Sequence, residues 1–223
     1  SVAKAMEEYQ TTVFDSSARN KSMAGRIRRM TDRTLWALGC QWEHGAYEKT
    51  WHELDFGRAG GNDVTLPVEE GLELSLRGRI DRVDFAEEDG SLYVRVIDYK
   101  SGSTKLDLGK VYYGLQLQLA VYLDAAVELE QKKHPGKQVE PAGVFYYHID
   151  DPMLDQEEDE TDEAWGRRML KALRMDGLVN ADRKVVELLD RVLEDGTTSD
   201  VIPVGKKKDG SYTSYSKVAS PEQ

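Results

Sequence analysis

The chain has 223 residues, of which 39% are hydrophobic and 32% charged, and its formal net charge is −11 at pH 7. This length suits one large domain, or one domain with a helical appendage, and no apolar run reaches membrane-spanning length. The first residues lack the apolar core of a signal peptide, so we expect a cytoplasmic protein without a membrane partner. Cys40 is the only cysteine, which excludes an internal disulfide and a metal site built from several cysteines of this chain.

The negative charge is unevenly distributed along the chain. Residues 155–163 contain seven acidic side chains, and this run is typical of a solvated loop. Residues 19–33 instead carry six lysines and arginines against Asp32 alone, and Lys206 begins a second basic run. The average charge therefore does not exclude binding to nucleic acid, although tight affinity for DNA would need a partner or a metal.

Taken in chain order, the N-terminal part is predicted to be helical over residues 1–10 and about 22–40. In the second helix, apolar side chains recur at spacings of three or four and form a stripe beside the arginines. The residues of this stripe are Met23, Ile27, Met30, Thr34 and Leu38. A first strand is then predicted over residues 47–57 and a turn over residues 60–63.

The middle of the chain predicts two antiparallel strands joined by a hairpin. Apolar residues alternate with polar ones from Leu72 to Ile80, which predicts a half-buried strand that leads into Asp81. Residues 87–90 (EEDG) are typical of a hairpin turn, and residues 92–98 predict the next strand.

The second half predicts a mixed arrangement of helices and one strand. A connecting loop over 104–109 is followed by the remaining predicted elements: a helix over about 112–130, a break at 134–137, a strand over 143–149, helices over about 163–175 and 182–194, and a turn at 208–212. This order predicts a mixed α/β fold, with a central sheet flanked by helices.

Two aspartates stand where the predicted strands of the hairpin end. Asp81 lies in GRIDRVD (78–84) and Asp98 in VIDYKSG (96–102), so the hairpin would set them side by side. Two carboxylates forced together repel each other, and a hard divalent cation relieves that repulsion. Lys100 shares a strand face with Asp98, and a lysine there can orient a water and offset charge on a phosphate. The set predicts metal-assisted cleavage of a phosphodiester.

Each of these acids also has a plain structural interpretation when it is taken alone. Asp81 can pair with a neighbouring arginine, Arg79 or Arg82, and a strand-end ion pair explains Asp98. Asp84 is a weaker alternative ligand, because its position close to the turn favours a solvated role.

Three further side chains are candidates for supporting the site. Gln118 and Tyr122 are four apart on a predicted helix and can grip a phosphate or orient the lysine, although packing against the sheet also explains Tyr122. Gln116 competes with Gln118. Glu53, on the first predicted strand, either reaches the metal or is a surface acid. The four histidines lack metal-ligand spacing, and the chain contains neither a P-loop nor a Gly-x-Ser-x-Gly elbow.

The segments GRIDRVD, IDYKSG and QLAVY (118–122) resemble, in order and separation, the GxxD, DYK and QxxxY signatures of RecB-like PD-(D/E)xK nucleases. Segments 111–118 and 141–152 are similar to the C-terminal nuclease domain of the AddB family, the B-type subunits of bacterial ATP-dependent helicase–nucleases. The resemblance covers a core of about residues 43–152. The helical flanks, 1–42 and 153–223, would complete a single nuclease domain.

The resemblance implies a restriction-endonuclease-like fold and a role for each matching residue. Asp81 and Asp98 would bind Mg²⁺ or Mn²⁺, with the backbone carbonyl of Tyr99 as a further ligand. Lys100 would position the attacking water, and the glutamine and tyrosine of the third segment would support the site and the DNA strand. The implied activity is exonuclease processing of double-strand DNA ends in recombinational repair, with DNA and an AddA-like subunit as partners in the bacterial cytoplasm.

The resemblance has one departure. AddB-type domains carry an iron–sulfur cluster on four cysteines, and Cys40 alone fits none of those positions. We therefore expect a fragment of a larger protein, cut inside the cluster-bearing segments, and the resemblance does not predict that the fragment is active by itself.

Two alternatives to this nuclease remain. One is a catalytically silent nuclease fold that serves as a DNA channel or a docking scaffold for another subunit, although the presence of Asp81, Asp98 and Lys100 favours catalysis. The other is a free-standing RecB-like exonuclease, which the AddB-like flanks disfavour.

Overall fold

A computed structural model of the chain describes residues 17–57, 64–69, 72–155 and 158–220. The helices are α1 (Ala18–His44), α2 (Leu108–Tyr112), α3 (Gln118–Lys133), α4 (Asp162–Ala172) and α5 (Arg183–Leu189). The strands are β1 (Lys49–Phe56), β2 (Val64–Glu69), β3 (Leu72–Leu76), β4 (Gly78–Glu88), β5 (Ser91–Lys100), β6 (Gln138–His148), β7 (Asp176–Asn180) and β8 (Val218–Ala219). The helix predicted over 1–10 and the turn predicted over 60–63 lie outside the described residues. None of the helices in the described ranges has the length and apolar character needed to cross a bilayer.

Six strands form one sheet in the order β1-β4-β5-β6-β7-β8, and β2 and β3 form a separate pair. β1, β4 and β5 are antiparallel neighbours, whereas β5 and β6 run parallel. A parallel pair needs a crossover connection, and α3 supplies it between β5 and β6. This architecture confirms the predicted mixed α/β fold, with a mixed sheet between helices.

The prediction of one continuous strand from Leu72 into Asp81 is wrong. The chain forms two strands there, β3 and β4, which are separated by Arg77. Its first part, β3, pairs with β2 outside the main sheet. Gly57 has φ +70°, and a Cβ there would lie 1.8 Å from the carbonyl oxygen of Leu76. The close backbone approach at this glycine lets the chain leave one sheet and enter the other.

The helix predicted to start at Tyr112 is also wrong at its beginning. Tyr112 ends the short helix α2, which Asp107 caps by accepting hydrogen bonds from Gly109 and Lys110 N–H groups. Gly114, at φ +73°, turns the chain before α3 begins at Gln118. The apolar spacing continues across this interruption, so periodicity alone does not reveal it.

Two of the three predicted turns lie in the described residues, and both are confirmed. Asp89 and Gly90 both have positive φ, as a two-residue hairpin turn between β4 and β5 requires. Gly210 has φ +79° within the turn that follows Lys206.

The apolar stripe predicted in α1 is only partly buried. Thr34 is buried, but Met23 and Ile27 at the N-terminal end of the stripe are exposed.

Apolar side chains cover both faces of the sheet. On one face, α3 buries Leu119, Ala126 and Leu129 against β4, β5 and β6. On the other face, α1, α4 and α5 pack in a second cluster that includes Ala37 and Met169. Strands covered on both sides show continuous apolar runs, as β5 and β6 do.

The second face also contains a buried ionic cluster of Arg82, Asp84 and Arg95. Arg82 Nε donates to Asp84 Oδ1 at 2.7 Å, and Arg95 Nε donates to Asp84 Oδ2 at 2.8 Å. The Arg95 guanidinium lies 4.1 Å from the ring centroid of Tyr47. Asp84 is fully buried, so the solvated role expected for it is wrong: β5 places Arg95 opposite it. These contacts occupy both of its carboxylate oxygens, which also removes it as an alternative metal ligand.

Candidate active site

The site lies where β4 and β5 separate. Their pairing ends at Arg82 and Ile97, whereas β4 stays paired with β1 as far as Gly78. Asp81 lies in β4 one residue before Arg82, just outside the part paired with β5, and its Oδ2 accepts a hydrogen bond of 2.9 Å from the backbone N–H of Tyr99. The hydrogen bond turns the Asp81 side chain across the gap toward β5.

The structural alternatives for Asp81 are not realised, because its two candidate arginines have other partners. Arg79 pairs with Glu53 and Asp55, and Arg82 pairs with Asp84. Asp81 is therefore left facing β5.

Asp98, Lys100 and Gln118 form a closed set of contacts at the end of β5. Lys100 Nζ lies 2.7 Å from Asp98 Oδ2 and donates to Gln118 Oε1 at 3.2 Å. Gln118 Nε2 donates to Asp98 Oδ1 at 2.9 Å. Gln118 is the first residue of α3, so the helix start is fixed directly over the end of the strand. The Gln118 amide thus fixes the position of the Asp98 carboxylate relative to the Lys100 ammonium.

The charges of the site perturb one another. Burial raises the pKa of Asp98, and the negative charge of Asp81 raises it further, against the opposing effect of Lys100. Burial would lower the pKa of Lys100, but its hydrogen bond and charge interaction with Asp98 outweigh that effect and raise it. Lys100 is therefore a cation at neutral pH, suited to orienting water and offsetting negative charge rather than to accepting a proton.

Tyr122 is held beneath Gln118 by packing and by a hydrogen bond. Its hydroxyl accepts from Gln118 Nε2 at 3.2 Å, and its ring meets Phe56 edge-on with centroids 5.9 Å apart. Gly78 makes this packing possible, because a Cβ there would lie 2.6 Å from the Phe56 ring and 3.3 Å from Tyr122. A residue with a side chain at Gly78, the glycine of the GxxD segment, would thus clash with the Phe56 ring that holds Tyr122 in place.

We expect Gly78→Ala to destabilise the protein by about 1–3 kcal/mol through overpacking, and to reduce the phosphodiester cleavage that the sequence predicts by displacing Tyr122 and hence Gln118. Urea unfolding and DNA cleavage measured on the same preparations check this. Gly102→Ala is the matched control, because a Cβ there meets no atom within 4 Å. Equal behaviour of the two variants would contradict the steric role of Gly78.

Sequence reasoning did not identify two neighbours of Lys100 on β6. The ring centroid of Tyr146 lies 5.3 Å from Lys100 Nζ, and His148 is the registered partner of Lys100. His148 Nδ1 lies 2.7 Å from the carbonyl oxygen of Gly102, so it holds the segment after the lysine. The predicted strand over 143–149 contained both residues, but only the parallel register brings them to the site.

Gln116, the competitor of Gln118, has a different set of partners. Its side chain donates to the Lys105 carbonyl at 3.0 Å and accepts from Asp107 N–H at 2.9 Å. It also donates to the Tyr146 hydroxyl at 3.4 Å. Gln116 therefore braces the loop beside the site, and Gln118 contacts the acid and the lysine.

Glu53 is the predicted site residue whose described contacts lie elsewhere. Its carboxylate accepts from Arg79 Nη1 at 3.0 Å, and it is exposed. Its φ is +53°, at a position where the registered pairing of β1 with β4 is interrupted. Of the two alternatives, these contacts favour a surface acid, and a role at the metal stays a prediction.

The donor set suits a hard divalent cation that keeps part of its hydration shell. Asp81 and Asp98 supply two carboxylates, the charge of Asp81 disfavours that of Asp98, and Asp98 Oδ2 is buried with Lys100 as its charged neighbour. Across the described residues, no group of three or more His, Cys, Asp or Glu side chains could hold a metal. One or two carboxylates, completed by water and phosphate oxygens, are the usual environment of Mg²⁺.

Comparison with known proteins shows the family of the chain. The family model of the PD-(D/E)XK nuclease superfamily matches residues 1–202. The chain belongs to this superfamily.

Curated relatives of this PD-(D/E)XK chain are named as the B-type subunit of an ATP-dependent helicase/deoxyribonuclease. The protein from Lachnoclostridium phytofermentans is 43% identical over 100% of this chain and 19% of its own length. Those from Thermoanaerobacter sp. (strain X514) and Clostridioides difficile are 37% and 40% identical over 95% and 94% of this chain. The chain thus spans about a fifth of the length of the relatives it matches.

Proposed function

We propose that this chain is the Mg²⁺-dependent DNA nuclease domain of an AddB-type helicase/deoxyribonuclease subunit, with exonuclease activity on double-strand ends during recombinational repair. Superfamily membership and the names of the relatives support a nuclease. The observation that carries the proposal is the convergence of Asp81, Asp98 and Lys100 at one end of β5, with Gln118 bridging the last two. DNA and an AddA-like subunit are the proposed partners, in a bacterial cytoplasm.

PD-(D/E)XK nucleases generally use divalent metals, and Asp81 and Asp98, with the Tyr99 carbonyl, would hold Mg²⁺ or Mn²⁺ here. The bound metal would lower the pKa of a water and polarise the phosphate. Lys100 orients the attacking water and offsets the charge that develops on the phosphate. Gln118 positions Lys100 against Asp98, and Tyr122 supports Gln118.

The iron–sulfur cluster implied by the resemblance does not fit this chain. Cys40 lies on α1, half-buried beside the core, and one thiol cannot replace four ligands. We therefore assign no role to such a cluster within residues 1–223, which we propose to be a single nuclease domain of a longer subunit.

The direct test is cleavage of linear duplex and single-stranded DNA by the full-length subunit with its helicase partner. Cleavage is expected with Mg²⁺ or Mn²⁺ and not with a chelator, and Lys100→Met is expected to lower the rate by about 10²–10³-fold. Lys132→Met is the matched control, because Lys132 is a surface lysine on α3. Metal-independent cleavage, or an unchanged rate for Lys100→Met, would reject the proposed mechanism.

The alternative of a silent scaffold predicts a different result in the same assay. It requires binding of DNA or of the helicase partner without any metal-dependent product from the full-length assembly. The ion pair of Lys100 with Asp98 suits a scaffold as well as a nuclease, but the second acid favours the nuclease, because the charge of the partly buried Asp81 disfavours that of the buried Asp98 and a scaffold gains nothing from it.

A further inference from the structure

A cluster of large exposed side chains precedes the site on residues 108–117, which comprise α2 and the turn that follows it and are here called the tyrosine loop. Tyr112 is 84% exposed, Tyr113 76% and Leu115 77%. Single exposed apolar residues are ordinary, but adjacent large ones on one short segment mark a binding surface.

The exposure is not the result of a fraying segment, because hydrogen bonds hold the tyrosine loop at both ends. Asp107 caps α2, and the N–H of Leu115 donates to the carbonyl of Lys110 at 2.8 Å. Gln116 ties the end of the loop to Lys105 and Asp107, as described above. The rings of Tyr112 and Tyr113 are therefore exposed on a segment that hydrogen bonds hold in place.

The tyrosine loop is continuous with the proposed nuclease site. Gln116 reaches the hydroxyl of Tyr146, whose ring lies below Lys100. Two residues later, Gln118 contacts both Asp98 and Lys100. A strand whose phosphate lies at the end of β5 would thus have its neighbouring nucleotides within reach of this loop.

We propose that Tyr112 and Tyr113 form a stacking platform for the bases of a single DNA strand that enters the site; this inference rests on the proposed nuclease function. The two rings meet edge-to-face, with centroids 5.2 Å apart at 82°, which leaves ring faces open for stacking. Every base has a π-face, so such a platform binds single strands without reading their sequence.

Charge on the same segment favours DNA over a protein as the occupant. Lys105 and Lys110 precede the tyrosines in sequence, with Asp107 between them as the helix cap, and Lys100 lies at the adjoining site. Lysines next to aromatic side chains match a phosphate backbone with exposed bases. In protein–protein interfaces aromatic residues are enriched but lysines are depleted.

The test compares two labelled strands of equal length, an oligothymidylate and a fully abasic phosphodiester, by fluorescence anisotropy on the full chain in chelator. The double variant Tyr112→Ala/Tyr113→Ala is expected to lose roughly 5- to 100-fold in affinity for oligothymidylate, with little change for the abasic strand. Tyr112→Phe/Tyr113→Phe should retain affinity, because it keeps the rings. Tyr215→Ala is the matched control, since Tyr215 is 63% exposed on the C-terminal segment.

Several results would overturn the platform. They are unchanged oligothymidylate affinity in the double alanine variant, an equal loss for the abasic strand, no measurable binding by the wild-type chain, and loss of binding to the helicase partner with DNA affinity intact. Failure of the proposed function is distinguishable, because it is read from metal-dependent cleavage. If the tyrosines stack bases but no metal-dependent cleavage is found, the platform proposal stands and the proposed nuclease function is rejected.

Discussion

Asp98→Asn is expected to reduce metal-dependent DNA cleavage by about 10³-fold or more, because metal-assisted charge stabilisation contributes several kcal/mol to phosphodiester hydrolysis. The substitution keeps the shape of the side chain but removes the charge that faces Asp81 and pairs with Lys100. Single-turnover cleavage of linear DNA by the full-length assembly measures the effect. The loss is expected in the rate of the chemical step, whereas DNA binding in chelator should remain.

The control for this variant is Glu87→Gln, which removes a carboxylate from the other end of β4. Glu87 is exposed and pairs with Lys137, away from the site. Because burial raises the pKa of Asp98, its charged form is unfavourable in the folded chain, and Asp98→Asn should not lower the free energy of unfolding appreciably. A variant that unfolds more easily, or that cleaves within tenfold of wild type, would refute the assignment of Asp98.

The second large effect concerns stability: Asp84→Ala is expected to destabilise the chain by about 3–5 kcal/mol. Removing this carboxylate leaves two buried guanidinium groups, those of Arg82 and Arg95, without their shared partner. The cost arises from unpaired buried charge rather than from the lost ion-pair energy. Urea-induced unfolding followed by circular dichroism measures it, and Asp209→Ala, on an exposed turn, is the control. A loss of less than about 1 kcal/mol would show that water reaches the cluster.

The pH dependence of stability gives an independent check on Asp84. Burial alone would raise its pKa, but the charges of Arg95 and Arg82 outweigh burial and hold the pKa below its usual value. A carboxyl with a depressed folded-state pKa contributes stability above its unfolded pKa of about 3.9, and this contribution is lost as the pH falls through the folded value. The difference in unfolding free energy between wild type and Asp84→Asn should therefore be constant near neutrality and shrink only in that acidic range. If the difference in unfolding free energy already shrinks between pH 7 and pH 5, the lowered pKa of Asp84 is contradicted.

Much of the site was predictable from local sequence because its residues stand close together in local patterns. Asp98 and Lys100 are two apart on a strand, Gln118 and Tyr122 are four apart on a helix, and the turn at Asp89 joins the two acid-bearing strands. Period-two and period-four spacing and turn chemistry carry this information without any long-range contact. The mixed α/β class followed from the order of the elements for the same reason.

Tertiary structure alone decided which charged residues face each other. Asp84 resembled a solvated acid in sequence, but the register of β4 with β5 places Arg95 opposite it, in the layer covered by α1. Likewise, Tyr146 and His148 reach Lys100 only through the parallel pairing of β5 and β6, which a helical crossover sets. Sequence spacing gives the face of a strand on which a side chain lies, whereas the partner across the sheet depends on register and on strand order. Those are fixed by the packing of the whole chain, so no local pattern reports them.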